Sequence, residues 1–407
     1  MTSRRSVPKM VLPSIGGLAA AAVAGLVARR LVRAGRRVAA LERLLPAAPA
    51  WATYPQVLKP TPSEVFAPKG TGCDFETRPS LFGDAVIVPT AHFYLRQHSP
   101  TPRIDQDTWR LRIDGDGVQR PVDMSYADIA ALPQTTLTRT LECAGNGRRF
   151  FMETFGVEAQ GGQWGLGAIG TAAWTGVRLR DLLARAGLVE GARDVMPIGL
   201  DDHGVSRPLP LAKALAEDTL LALRMNGEPL LPDHGFPARL VVPGWVGTAW
   251  IKWIGRIEVS TQALHTPYNT TEYVLIGPHY RTHDPALGPV ITAMPVISLL
   301  ELDRPATLDA GPTTVYGRAY AGEGTVREVA YRIDDGPWRI ADLHGPREAG
   351  VWTRFSFAWN ATPGDHEIRL RATDDQGRRQ PDSVPWNHHG YLYNAVIGHP
   401  VTVRSAP

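Results

Sequence analysis

The sequence predicts an α+β protein in which a mixed α/β region precedes an immunoglobulin-like β-sandwich. Two observations predict it. Up to about residue 288 amphipathic helical segments mix with strand-like ones, and from about residue 292 only short alternating runs separated by turns remain. The composition, 43% hydrophobic and 20% charged, is ordinary for a globular protein and excludes disordered, collagenous and coiled-coil chains. The 407 residues suffice for two or three domains, which we place at 1–50, 51–288 and 289–407.

Residues 1–50 are predicted to form an N-terminal leader and linker. Residues 10–28 are almost entirely apolar and about long enough to span a bilayer. They follow Ser3-Arg-Arg-Ser-Val-Pro-Lys9, which is similar to a twin-arginine export signal. Two interpretations stay open, a retained membrane anchor and an export signal. With either, we expect the folded part to lie outside the cytoplasm, in the periplasm or on the outer face of the membrane.

Helix and strand signals mix in residues 51–288. Ser125 is an N-cap residue with Asp128 three positions later, which predicts a helix from Ser125 to Leu132. An amphipathic helix from Leu179 to Ala186 is predicted to end at Gly187. Strands are predicted at Trp109–Ile113, Thr135–Leu141, Ala238–Val242 and Trp250–Val259.

The region from residue 289 onward shows strand periodicity only. Asp334-Asp-Gly336 and Pro363-Gly-Asp365 are turn signals, and the first is typical of a tight hairpin. Together these signals predict an antiparallel sandwich of immunoglobulin type. The predicted strands are Thr313–Ala319, Val326–Ile333, Thr353–Trp359 and His366–Ala372.

Charge and cysteine content exclude several classes of protein. The net charge of +3 gives no reason to expect nucleic acid as a partner. The two cysteines, Cys73 and Cys143, exclude a disulfide-stapled fold, a thiolate zinc finger and a four-cysteine iron–sulfur cluster. No C-x-x-C-H occurs, so no c-type haem is expected in this chain.

Cys143 has an unusual setting, Leu141-Glu-Cys-Ala-Gly-Asn-Gly-Arg-Arg-Phe150, at the end of a predicted strand. The small residues allow another group to approach the backbone closely. Arg148 and Arg149 are expected to lower the pKa of the thiol, which would favour a thiolate acting as nucleophile or soft metal ligand. The alternative is a buried core cysteine.

This stretch resembles the molybdenum-cysteine loop of the sulfite oxidase family, and further segments match in the family's order from about Pro89 to Val403. The stretch from Arg239 to Val259, together with Pro289-Val-Ile-Thr292, is similar above all to the bacterial branch, which includes sulfite and sulfane dehydrogenases. The matching segments are Leu95-Arg-Gln-His-Ser-Pro100, Trp174-Thr-Gly-Val177 with Leu179-Arg-Asp-Leu-Leu183, Met225-Asn-Gly-Glu-Pro229, Asp233-His-Gly-Phe-Pro237 with Arg239, Val241-Val-Pro-Gly-Trp-Val-Gly247, Lys252-Trp253, Gln380-Pro-Asp382 and Trp386-Asn387.

The resemblance implies a mononuclear molybdenum–molybdopterin cofactor, with Cys143 as the single protein ligand of the metal. The cofactor's dithiolene supplies the other sulfurs, which explains how a chain with two cysteines could hold a redox metal. Arginine and lysine suit the cofactor's phosphate. By the resemblance, the cofactor-binding residues are Tyr94, Leu95, Arg96, Gln97, His98, Cys143, Asp201, His234, Arg239, Trp250, Ile251 and Lys252.

The resemblance also implies a catalytic pocket for a small oxyanion. Arg96, Tyr273 and either Arg148 or Arg149 match family positions, and we assign the role to Arg148. His389 stands where animal sulfite oxidases have a further arginine. Because histidine loses its charge near neutral pH, we expect anion binding to weaken as pH rises if His389 lines the pocket. The alternative is that His389 only packs at the domain junction.

The expected activity is oxidation of sulfite or a related sulfur oxyanion, with electrons passing to a separate acceptor such as a cytochrome. The alternatives are a reductase of an S-oxide or N-oxide on the same scaffold, and a cofactor-free binding protein with a degenerate site. The resemblance further implies a homodimer formed through residues 289–407, and the leader suggests membrane association.

Overall fold

The structure is a computed structural model that describes residues 56–70 and 72–405. The predicted leader lies outside the described residues. Within the part of the chain that the structure describes, no helix is both long and apolar enough to cross a membrane. The described residues belong to one compact unit, so the boundary predicted between residues 288 and 289 stays a prediction.

The first region contains twelve strands and five short helices among the described residues. Short 3-10 turns at Pro79–Leu81, Thr90–His92, Pro232–His234 and Gly247–Ala249 connect them. The strands are β1 (Phe66–Pro68), β2 (Phe75–Thr77), β3 (Arg110–Asp114), β4 (Val122–Ser125), β5 (Thr135–Glu142), β6 (Ile169–Arg178), β7 (Asp194–Gly199), β8 (Leu209–Pro210), β9 (Leu220–Met225), β10 (Glu228–Pro229), β11 (Arg239–Val241) and β12 (Ile254–Ser260). The helices are α1 (Tyr126–Ala130), α2 (Phe150–Phe155), α3 (Leu179–Ala186), α4 (Leu211–Ala214) and α5 (Pro267–Thr270).

Two five-stranded sheets organise this region. One has the order β10-β9-β6-β5 with β11 also paired to β9, and the other has the order β4-β3-β12-β7-β8. The second sheet is mixed, since β12 runs parallel to β3 and antiparallel to β7. These sheets and their helices enclose the larger core, so the mixed α/β prediction for this region is confirmed.

The helix signals identify α1 and α3. Ser125 Oγ accepts from the backbone N–H of Asp128 at 3.1 Å, which completes the predicted cap, although the helix ends at Ala130 rather than at Leu132. Helix α3 has the predicted bounds, and its buried residues recur at the spacing of one helix face. They are Leu179, Leu182, Leu183 and Ala186.

One predicted strand begins later than expected. We predicted a strand from Trp250, but β12 begins at Ile254. Trp253 has a φ of +54°, a left-handed conformation that a strand cannot contain, and its indole Nε1 donates to the Pro232 carbonyl at 2.7 Å. The three residues before it, 250–252, lie outside the strand and line a cavity, and the Ile251 carbonyl accepts from the backbone N–H of Leu240 in β11 at 2.8 Å.

The second region is a sandwich of two antiparallel-rich sheets, as predicted. Its strands are β13 (Ile297–Leu300), β14 (Ala306–Asp309), β15 (Gly311–Tyr320), β16 (Val326–Ile333), β17 (Arg339–Ile340), β18 (Asp342–His344), β19 (Thr353–Ala361), β20 (Gly364–Asp374) and β21 (Gly398–Arg404). The sheet orders are β13-β15-β19-β18 and β14-β21-β20-β16-β17. Tyr331 and Phe357 stack in its core with ring centroids 3.9 Å apart.

Candidate active site

A cavity lies in the first region, where loops from both of its sheets meet. The structure brings most of the sequence-predicted site residues together around it. The predicted residues that line it are Tyr94, Leu95, Arg96, Gln97, His98, Cys143, Asp201, His234, Arg239, Trp250, Ile251, Lys252 and Tyr273.

Cys143 reaches the cavity wall because β5 ends one residue before it. The side chain is buried, and Sγ accepts from the backbone N–H of Gly145 at 3.4 Å. A Cβ on Gly145 would lie 2.6 Å from Nη2 of Arg148, so a side chain there would displace that guanidinium. Asn146 holds the turn through its Nδ2, which donates to Glu142 Oε1 at 2.9 Å.

The expectation that Arg148 and Arg149 both lower the pKa of the Cys143 thiol is partly wrong. Burial raises the pKa of Cys143, and the charges of Arg96 and Arg148 lower it by less. Arg149 is on the surface, where it pairs with Glu153 at 3.4 Å. A thiolate at this position therefore needs a bound cation, because coordination to a metal deprotonates a thiol.

Arg96 is the charged group on the same side of the cavity as Cys143. Burial alone would lower the pKa of its guanidinium, but Tyr273, Asp74 and Cys143 together raise it, so Arg96 stays charged. Its Nη1 lies 3.5 Å from Asp74 Oδ1 and also donates to the Gln97 carbonyl. Its side chain remains 27% exposed, which leaves donors directed to the cavity side.

Tyr273 and His98 form a neutral polar pair beside Arg96. The Tyr273 hydroxyl lies 3.2 Å from His98 Nε2, and its ring stacks on Tyr391 with centroids 5.1 Å apart. Burial lowers the pKa of His98 well below its usual range, and the Arg96 charge lowers it further. Tyr273 has a φ of +50°, an outlier for a bulky residue that points to a functional constraint.

Arg239, which is buried, and Lys252, which is partly buried, are cations of the cavity wall that have no carboxylate within 4.0 Å among residues 56–70 and 72–405. Arg239 donates to the carbonyls of His234 at 3.1 Å and Trp250 at 3.2 Å, while its Nε has no partner. Lys252 Nζ donates to Gln97 Oε1 and to the Asp233 carbonyl, both at 2.9 Å. Burial lowers the pKa of Arg239 to about 10 and that of Lys252 to about 7. Such uncompensated cations suit an anion.

Asp201 and His234 complete the cavity wall. Asp201 Oδ1 accepts from the backbone N–H of Val205 at 2.8 Å, and burial raises the pKa of this carboxyl. Burial lowers the pKa of His234 well below its usual range, so its imidazole is neutral. The edge of its ring faces Phe93 with centroids 5.7 Å apart.

Two of the predicted catalytic residues do not line the cavity. Arg148 is buried, but its Nε donates to the His389 carbonyl at 2.7 Å and its Nη1 to the Gly162 carbonyl at 2.9 Å. His389 Nε2 lies 3.2 Å from the Thr271 carbonyl, and burial lowers the pKa of its imidazole. The structure therefore places His389 at the junction of the two regions, which was the alternative interpretation of this residue.

Several residues in or behind the cavity wall were not predicted from the sequence. Asp74 and Lys59 come from the loop-rich segment before the motifs, where no pattern identified them. Arg207 is buried beneath Tyr273, with its guanidinium 5.8 Å from the ring centroid. Tyr391 follows His389 by two positions, and that spacing is the only signal that could have found it. Asp233 lies inside a quoted motif and lines the cavity, and its buried carboxylate accepts from the backbone N–H groups of Leu58 and Lys59.

Comparisons with known proteins agree with this geometry. Residues 98–268 match the oxidoreductase molybdopterin binding domain, and residues 290–404 match the Mo-co oxidoreductase dimerisation domain. The chain is 36% identical to mitochondrial sulfite oxidase of Homo sapiens over 79% of this chain and 62% of that protein. It is 36% identical to sulfite oxidase of Gallus gallus over 77% of this chain and 73% of that protein.

A solved structure shows the same fold. The sulfane dehydrogenase SoxCD from Paracoccus pantotrophus superposes with a TM-score of 0.73 and 26% identity, covering 87% of this chain and 92% of that one. The chain spans less than two thirds of the length of the human relative.

Proposed function

The chain belongs to the sulfite oxidase family of molybdopterin-dependent oxidoreductases, and from this we propose that it oxidises sulfite or a related sulfur oxyanion. We also propose that the electrons leave to a separate acceptor, such as a cytochrome. The observation that carries the proposal is the cavity itself, in which a buried cysteine and the charged Arg96 lie on the same side as the neutral pair of Tyr273 and His98.

The residues present fit the molybdenum–molybdopterin cofactor of the family. The orphaned Nε of Arg239 and the uncompensated charge of Lys252 suit its phosphate. Asp201 offers acceptor oxygens for N–H groups of the pterin, and Cys143 offers one thiolate for the metal. When bound, the cofactor supplies two-electron redox chemistry and oxygen-atom transfer.

The protein's own contribution on the substrate side is to bind and orient an anion. Arg96 keeps its positive charge across the physiological pH range, because its neighbours raise its pKa. His98 is neutral, so it shares one hydrogen bond with the Tyr273 hydroxyl and fixes the direction of that hydroxyl. A tetrahedral or pyramidal oxyanion would therefore contact the charge of Arg96 and the fixed hydroxyl of Tyr273. Two such contacts orient the anion as well as attract it.

The substrate proposal is tested by steady-state assays on the purified, molybdenum-loaded protein. We expect sulfite, or a thiosulfate-derived species, to reduce ferricyanide or cytochrome c. S-oxides and N-oxides offered with a reduced dye should turn over much more slowly. Faster turnover in this reductive direction would contradict the proposal and favour a reductase.

We further propose a homodimer formed through the second region. The support is the match of residues 290–404 to the dimerisation domain of the family and the prevalence of two-fold dimers among oligomers. Light scattering at micromolar concentration, with the leader removed, should give a mass twice that of one chain. A monomer under these conditions would contradict this proposal.

We propose, finally, that the protein functions outside the cytoplasm and is associated with the membrane through its leader. This rests on the sequence of residues 1–50 alone. Cell fractionation should find the full-length chain in the membrane fraction and accessible to protease added from outside. A chain found only in the cytoplasmic fraction would contradict it.

A further inference from the structure

Lys59 lies behind the cavity, in a segment that precedes the matched molybdopterin domain. Its side chain is 8% exposed, and its ammonium nitrogen lies near four acceptors. Nζ lies 2.5 Å from the Phe93 carbonyl, 3.1 Å from the Thr90 carbonyl, 3.4 Å from the Ala91 carbonyl and 3.2 Å from His234 Nε2. Lys59 does not line the cavity, but Phe93 and His234, which it contacts, both do.

The backbone of this segment is held as firmly as the side chain. The buried carboxylate of Asp233 accepts from the backbone N–H of Leu58 at 2.9 Å and of Lys59 at 2.7 Å. Gln97 Nε2 donates to the Gln56 carbonyl at 3.1 Å. The segment that carries Lys59 is therefore hydrogen-bonded to Asp233 and Gln97, and both of these residues line the cavity.

Lys59 has no carboxylate within 4.0 Å of its ammonium in the described part of the chain. Burial lowers its pKa to about 7, and the charge of Asp233 raises it by less. A buried ammonium without an ion pair needs a full set of acceptors. The carbonyls of Phe93, Thr90 and Ala91 and His234 Nε2 offer four acceptors for its three N–H groups, and the Ala91 carbonyl is the most distant of them.

We propose that Lys59 is a positioning residue of the cofactor site. Its ammonium joins the wall formed by residues 93–98 to His234 and holds the imidazole in one orientation. While Lys59 is charged, its ammonium can only donate, so His234 Nε2 accepts and the proton of the neutral ring lies on Nδ1. The inference rests on the cofactor assignment, but it does not depend on which substrate the enzyme oxidises.

The first test is a measurement on the full-length wild-type protein. Nitrogen-15 NMR of histidine-labelled protein, with His234 assigned by comparison with His234→Asn, reports which ring nitrogen carries the proton. We expect protonation at Nδ1 and an unprotonated Nε2. A proton on Nε2 would overturn the proposal whatever any variant does.

The second test compares Lys59→Met with Lys213→Met. Lys213 is the matched control, since it is also a partly buried lysine whose pKa burial lowers, and it pairs with Asp218 at 3.7 Å outside the cavity wall. The readouts are the rate of pterin loss from the loaded protein and the melting temperature of the same protein after the cofactor is removed.

We expect Lys59→Met to lose pterin about tenfold faster, the effect typical of removing a group that orients a ligand-binding side chain. Its melting temperature without cofactor should fall no further than that of Lys213→Met, because each substitution removes the donor of a backbone carbonyl. Lys213→Met should retain pterin like the wild type. Wild-type pterin retention in Lys59→Met, or pterin loss that only parallels a lower melting temperature, would contradict a positioning role.

Discussion

Cys143 combines a position at the end of β5 with burial and a tight turn in which Gly145 lies against the guanidinium of Arg148. Cys73, the other cysteine, is buried too, and its Sγ donates to Gln56 Oε1 at 3.1 Å. Position therefore separates the two thiols better than burial does, because Cys143 lines the cavity and Cys73 does not. Burial raises the pKa of both thiols, Asp74 raises it further in both and Arg96 lowers it in both, and the charge of Arg148 also lowers that of Cys143.

Replacing Cys143 by serine should abolish oxidase activity, by at least about a hundredfold, while most of the pterin stays bound. The reason is that Arg239, Lys252 and Asp201 contact the cavity independently of the thiolate. Activity and pterin content of the purified variant check this. Cys73→Ser is the control and should remain near wild-type activity. A fully active Cys143→Ser enzyme would contradict the assignment of Cys143 as the metal ligand.

His389→Gln should leave the pH dependence of the Michaelis constant for sulfite unchanged. Burial lowers the pKa of His389, so its imidazole is already neutral at pH 7 and has no charge to lose as pH rises. Glutamine keeps a donor for the Thr271 carbonyl. The measurement is the Michaelis constant from about pH 6 to 8.5, a range that spans the unperturbed histidine pKa. A Michaelis constant that rises with pH in the wild type but not in the variant would show that His389 lines the substrate pocket.

At the residue scale, the sequence could predict the cavity residues because motifs carry them. The glycine and cation spacings around Cys143, His234 and Lys252 are visible in the chain. Side chains that do not line the cavity, such as those of Arg148 and His389, could not be distinguished from those that do, because sequence order does not give side-chain direction. Lys59 could not be found, because its role depends on a contact across 175 positions of sequence.

At the scale of elements, the segment between β11 and β12 joins the cavity to the second region. Gly247 to Ala249 forms a 3-10 turn at the cavity, and Gly244 packs against the backbone of Gly322. Gly244 has a φ of +79°, and a Cβ there would lie 2.3 Å from the Gly322 carbonyl oxygen. The close approach of two backbones thus explains why glycine occupies this position.

Gly244→Ala should lower the free energy of unfolding by more than Gly156→Ala does. Both glycines have positive φ, so both substitutions carry about 1–2 kcal/mol of backbone strain. Gly156 has no atom within 4 Å of the added Cβ, whereas Gly244 also meets a carbonyl oxygen. Urea unfolding of the two variants measures the difference. Equal losses of unfolding free energy in the two variants would show that the contact between residues 244 and 322 relaxes at no cost in free energy.

His399 in β21 makes the stability of the second region depend on pH. Burial lowers its pKa to about 4, and its Nε2 lies 2.9 Å from the Asp303 carbonyl. Between about pH 6.5, the unfolded value, and about pH 4, the unfolded chain binds a proton that the folded chain does not. Its contribution to stability is therefore present above this window and is lost as pH falls through it.

His399→Gln should remove up to about 3 kcal/mol of that pH dependence, since glutamine keeps a donor and does not titrate. Urea unfolding of wild type and variant at pH 7 and at pH 4.5 checks it. The wild type should lose more stability than the variant on acidification. Parallel losses would mean that His399 titrates normally in the folded protein.

At the element scale, strand and turn signals located most of the sandwich. Val326–Ile333 has the predicted bounds, because alternating residues and the turn at Asp334 leave little freedom there. The predicted strand from Trp250 failed because tertiary contacts override local pattern. Trp253 takes a left-handed conformation that frees residues 250–252 for the cavity, and no periodicity reports such a constraint.

For the whole molecule, the distribution of charge matters more than its sum. The net charge is only +3, yet the cavity wall holds Arg96, Arg239 and Lys252, and among the described residues only Arg96 of these three has a carboxylate within 4.0 Å, that of Asp74 at 3.5 Å. Such an arrangement costs stability in the free protein, and a bound anionic cofactor offsets that cost. The family resemblance predicted this site, and composition alone could not have done so.

The central claim, a molybdenum-dependent oxidation of a sulfur oxyanion, is tested most directly by a single turnover. The fully molybdenum-loaded protein is mixed anaerobically with excess sulfite in the absence of an acceptor, and sulfate is then quantified. One sulfate per molybdenum is predicted, because the site takes up two electrons and cannot pass them on. If no sulfate forms in the fully loaded protein, and no thiosulfate-derived species is oxidised in its place, the claim is contradicted.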